Sequence, residues 1–131
     1  MNDIFIKMFL GHLTADFLLQ NREMALRKSE KSWTGLVWCI LHCLIYTITI
    51  CVFLWTADSL IIFLIFLSHF PIDRWSLTKS WLKFIGGRDI LTAHDSKEKY
   101  HEVDLAFSCI VYAVSDNTIH LILLYGITKL I

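Results

Sequence analysis

The chain has 131 residues, 56% of them hydrophobic, with a mean hydropathy of +0.56 and a formal net charge of zero. That is too apolar for an ordinary soluble domain and too short for more than one domain. The balanced charge gives no sign of a nucleic-acid partner, and the composition points instead to membrane lipid.

Taken in chain order, the first apolar run covers Ile4 to Gln20. Asp3 precedes it and no small-residue cleavage site follows, so it reads as a retained helix rather than a signal peptide. A hydrophilic stretch, Asn21 to Trp33, comes next, with Met24 and Lys28 forming an amphipathic surface turn where Lys28 is placed to meet a phosphate. The second run, about residues 34–55, carries no charge and is long enough to span a bilayer alone. A tight turn at Thr56-Ala57-Asp58 leads into a third helix over about residues 59–85, with Asp58 or Ser59 as its N-cap. Only the first part of that helix is expected to be embedded. After Pro71, apolar Trp75, Leu77, Trp81, Phe84 and Ile85 interleave with Arg74, Lys79 and Lys83, the pattern of an amphipathic helix lying along the interface. Gly86-Gly87 ends it. The charged stretch Arg88 to Glu102 reads as a solvated loop or helix start, and the fourth helix covers about residues 103–130.

The predicted fold is therefore a single all-α integral-membrane domain, a four-transmembrane-helix bundle with an amphipathic interfacial helix after the third span. Ten of the twelve Lys and Arg lie in or beside the two polar connections. The positive-inside rule then makes both connections cytoplasmic and both termini periplasmic, in a bacterial inner membrane. Trp33, Trp55, Trp75 and Trp81 fall near segment ends, as interfacial anchors do. Cys39, Cys43, Cys51 and Cys109 lie in apolar stretches without a C-x-x-C and read as buried thiols, with a Cys39 or Cys43 thiolate ligand beside His42 as a minor alternative.

One pattern resists a purely structural account. His and Asp recur four residues apart on three segments: His12/Asp16, His69/Asp73 and Asp116/His120. That spacing puts both members on one helical face. An ionisable group in lipid costs about 2.5–3.5 kcal/mol on insertion scales, which makes three accidental pairs implausible. With His42 they form a candidate set of metal ligands: His12, Asp16, His42, His69, Asp73, Asp116 and His120. His42, Asp73 and Asp116 are the candidate catalytic groups, and Gln20, Lys28, Lys79 and Asn117 the outer-shell or substrate contacts. This is more than one zinc ion needs. Either two metals are held, or one metal is held and the spare carboxylates orient His rings or act as base. The O/N donor set suits Zn, Mn or Fe, and such a site could activate water to hydrolyse a membrane-associated substrate. His120 is expected to sit deepest and to need a tilt or a late helix start to join the others. Two other classes fit the pattern: a non-enzymatic membrane protein whose pairs are interhelical contacts, and a proton- or metal-conducting bundle, which would require a homo-oligomer.

The opening GHLTADFLLQNREMALRK, with His42, SHFPIDRWSLTK and SDNTIH, resembles the small bacterial and phage integral-membrane family filed as domain of unknown function 3307. Asn117 stands where that family's pattern leads one to expect Gln. The resemblance implies an integral-membrane protein with the His/Asp set as its signature, and it brings no activity. A phage origin would fit a role in modifying the host envelope or excluding competitors.

Overall fold

A computed structural model describes residues 3–130. It is 81% helical, without strands among the described residues. Helix α1 (Ile4–Leu13) runs into a π-helical turn (Thr14–Leu18) closed by a 3.0 Å bond from the Leu19 amide to the Thr14 carbonyl. The others are α2 (Arg22–Arg27), α3 (Trp33–Leu54), α4 (Ser59–Trp75), α5 (Leu77–Gly86), α6 (Ile90–Asp95) and α7 (His101–Thr128).

The boundaries have local causes. Asn21, Ser32, Asp58 and Asp89 each cap a helix by accepting a backbone N–H from its first turn. Left-handed residues end three helices: Trp55 (φ 54°) after α3, Ser76 (φ 48°) after α4 and Gly87 (φ 60°) after α5. Glycine takes that conformation freely, whereas Ser76 does so against a penalty of about 1–2 kcal/mol, and the reward is a 61° bend between α4 and α5.

Helix α3 packs on α1, α2 and α4, and α7 closes the bundle against α1, α4, α5 and α6. At one end lies an apolar core that includes Met8, Ile50, Leu54, Ile61, Ile65, Leu124 and Ile127. Gly11 lets α1 come close to α3: a Cβ there would lie 3.1 Å from that of Phe53. Large apolar side chains such as Ile48, Val52, Phe63, Ile110 and Ile122 point outward, as a lipid-facing surface requires.

Two helices, α3 and α7, are long and apolar enough to cross a membrane, and the bent pair α4–α5 would make three. The first run is the exception. Its fifteen helical residues reach only about 22 Å, short of the roughly 30 Å hydrocarbon core. The polar connections also differ from their sequence reading. The first contains α2, whose Met24 is buried, and the second contains α6 followed by a turn, so that α7 starts at His101.

Candidate metal centre

Four helices bring their polar residues to one place, at the end of the bundle opposite the apolar core. His12 comes from α1, Asp16 from the π-helical turn, His42 from α3, His69 and Asp73 from α4, and Asp116 and His120 from α7. The i, i+4 spacing does locally what it promises: each His/Asp pair shares one face. The π-helical turn is a rare irregularity that is frequent at functional sites, and here it carries Asp16.

His42 Nε2 and His69 Nε2 lie 3.0 Å apart, and each is 3.1 Å from Asp73 Oδ2. Asp16 Oδ1 faces the same point, 3.3 Å from His42 Nε2 and 3.8 Å from His69 Nε2. His42, His69 and Asp73 are all buried. Asp16 Oδ1 is buried as well and has no hydrogen-bond partner. On the other side of Asp73, Oδ1 is 3.6 Å from His120 Nε2, which is 3.7 Å from Asp116 Oδ2. The ring of His120 stacks on that of His69, with centroids 4.0 Å apart. The deepest pair therefore does reach the others. Thr78, just past the α4–α5 bend, helps hold it by donating its hydroxyl to Asp116 Oδ1 at 2.6 Å.

His12 plays a different part. Asn117 Nδ2 donates to the Ala113 carbonyl, which turns Asn117 Oδ1 toward His12 Nε2 at 2.7 Å. In the neutral ring Nε2 must then donate, leaving Nδ1 to accept from the Tyr46 hydroxyl at 3.0 Å. Both nitrogens are engaged, and Asp16 Oδ2 lies 3.5 Å from Nδ1.

Lys28 touches the cluster as an outer-shell contact, but its reading as part of a surface turn is corrected. Helix α2 turns it inward, where Nζ donates to Asp73 Oδ2 and to Gln20 Oε1, both at 2.9 Å. Gln20 in turn donates to the Asp16 carbonyl. Burial works against the Lys28 ammonium, but the adjacent Asp73 carboxylate outweighs it and raises the pKa above the ordinary lysine value. The loop that delivers Lys28 fits against Gly35, where a Cβ would fall 2.8 Å from the Arg27 carbonyl oxygen and closer still to that of Glu30. Arg74 fastens the same loop by donating to the Lys28 and Glu30 carbonyls.

Lys79 stays outside the cluster. It sits 5.6 Å over the Tyr112 ring and lines a groove of about 290 Å³ with Lys83, Arg88 and Asp89. His94 and Asp95 pair with each other on the surface at 2.9 Å, in keeping with a solvated stretch. Of the thiols, Cys39 and Cys43 are buried, while Cys109 is exposed. Tyr46 and Thr78 were missed from sequence. Tyr46 stands one turn beyond His42 and stacks on His69 at 3.7 Å, so the four-residue spacing alone could have flagged it. Nothing local marks Thr78, whose role depends on the bend at Ser76.

Three groups of donor atoms lie within 4.8 Å of one another and could hold a metal ion: Asp16–His42–His69, Asp73–Asp116–His120, and Cys43–His69–Asp73. For bonds of about 2.0–2.1 Å, a tetrahedral ion sets its donors roughly 3.3–3.4 Å apart. The 3.0 Å between the two imidazole nitrogens, and the 3.1–3.8 Å from them to Asp73 Oδ2 and Asp16 Oδ1, straddle that value. The outer shell is sparse, because His42 Nδ1 and His69 Nδ1 have no partner among the described residues.

Residues 4–130 match the family described as protein of unknown function, DUF3307, and the chain belongs to that family. No curated protein and no solved structure shows significant similarity to it.

Proposed function

We propose that this DUF3307 chain is a multi-pass inner-membrane protein that binds a divalent ion, Zn, Mn or Fe, through Asp16, His42, His69 and Asp73. In this reading it uses the ion to hydrolyse a membrane-associated substrate. The observation that carries the reading is Asp16 Oδ1: a buried carboxylate oxygen without a partner, aimed at two imidazole nitrogens 3.0 Å apart. Two neutral imidazoles have a single proton to share across that contact, and a third acceptor beside them is uncompensated without a cation.

Charge points the same way. Asp16, Asp73 and Asp116 against Lys28 leave two negative charges, with the imidazoles neutral as ligands must be. One divalent ion cancels them. An ion held here would have to take water as a fifth ligand or in place of one carboxylate, and would then lower that water's pKa enough to supply a nucleophile at neutral pH. The protein's part is to orient and exclude. Tyr46 and Asn117 fix the His12 ring beside Asp16, Lys28 holds Asp73, and the bundle keeps bulk water out.

Four crossings remain the proposed topology, with both polar connections cytoplasmic. The short first crossing would be met by local thinning of the bilayer. The centre then lies in the cytoplasmic half, near the end from which Lys28 enters.

Lys28 also favours a second reading. Its ammonium supplies a cation to Asp73 directly, so the cluster could be interhelical glue in a non-enzymatic protein. Purification in detergent without added metal, followed by a count of bound ions, separates the two. The metal reading expects at least one ion per chain after Zn or Mn is supplied, and loss of it in His69→Ala with Asp73→Asn. Less than a tenth of an equivalent would refute it. Bound ion without turnover of any lipid, phosphoester or peptide would remove the enzyme and keep the site.

A further inference from the structure

We infer that the centre has a second cation position, formed by His120 Nε2, Asp116 Oδ2 and Asp73 Oδ1, so that Asp73 bridges two ions. The inference rests on the reading above for the first ion. His120 is 3% exposed, and its Nε2 is buried without a hydrogen-bond partner. That nitrogen faces Asp73 Oδ1 at 3.6 Å and Asp116 Oδ2 at 3.7 Å, a few tenths of an ångström beyond the donor spacing of a bound ion. The two oxygens of Asp73 are divided between the two sides. Oδ2 serves His42 and His69, and Oδ1 serves His120. Asp116 is supported as a ligand would be: Thr78 takes its Oδ1 and leaves Oδ2 for the cluster.

Charge then identifies the class of ligand. The first divalent ion neutralises the centre and the second gives it an excess of two positive charges. A filled centre therefore calls for an anionic oxygen ligand, and two ions bridged by one carboxylate suit the oxygens of a phosphoester. A groove of matching net sign is lined by Lys79, Lys83 and Arg88, with Asp89 paired to Lys83, beside Tyr112, which is one helical turn from Asp116 on α7.

Manganese tests this directly. The full chain in detergent is loaded with Mn(II), the ions are counted, and the electron paramagnetic resonance spectrum is recorded. Two ions per chain with an exchange-coupled spectrum are expected, falling to one uncoupled ion in Asp116→Asn and in His120→Gln. Inorganic phosphate should bind the loaded wild type about tenfold or more tightly than it binds loaded Asp116→Asn. One uncoupled ion in the wild type, unchanged in both variants, overturns the second position and leaves the first standing. No ion at all removes both. Two ions with equal phosphate binding in wild type and Asp116→Asn overturn the substrate class alone. The wild-type count and spectrum decide the matter even if a variant does not fold.

Discussion

The two ends of the bundle are built from the same helices by opposite rules. At one end Ile50, Ile61, Ile65 and Leu124 meet in an apolar core. At the other, His42, His69 and His120 converge on Asp73, with Asp16 and Asp116 against the same histidines. In a membrane the apolar end gains little from burial, since lipid is as apolar as leucine, and it is held by packing alone. The polar end faces a steep penalty for any mismatch of charge. The fold is therefore expected to tolerate change at the first end and to depend on composition at the second.

That contrast is broken most severely by Asp73→Ala. Removing it leaves Lys28, His42, His69 and His120 without their common acceptor. A loss of about 3–5 kcal/mol is expected, read from unfolding in mixed micelles. A loss under 1 kcal/mol would mean that the cluster is solvated and the contrast false. Gly35→Ala comes next. Its Cβ would collide with the backbone of the loop that delivers Lys28, so a cost of about 1–3 kcal/mol is expected, together with a weaker ion site. Unchanged ion affinity would show that the loop moves without disturbing Lys28. Ile50→Val, in the apolar end, should cost the least, near the lower bound of about 0.5–1.5 kcal/mol, and leave ion binding untouched. A change in ion binding there would couple the two ends.

The sequence carried this division unevenly. The charge-free run of α3 and the Asp58 cap are written locally, in composition and in one side chain at a turn, and both are legible. The His/Asp pairs were legible for the same reason, because helical spacing decides which face they share. Lys28 was not. Its direction depends on α2, on the fit of the loop against Gly35 and on Arg74, contacts spread across more than forty positions of chain. Nor was the reach of His120, which depends on how α7 packs against α4 and on a left-handed serine that aims Thr78. The length of the first helix was legible only in part: Ile4 to Gln20 is mostly apolar, with Lys7, His12 and Asp16 as exceptions, and the helix ends at Leu18 with the π-helical turn.

The most direct test of the account is X-ray absorption at the zinc edge of the zinc-loaded protein. The account predicts a shell of nitrogen and oxygen at about 2.0–2.1 Å containing two imidazoles, lost in His42→Ala. A sulfur shell near 2.3 Å, placing Cys43 in the site, or no zinc retained by the folded chain, would contradict it.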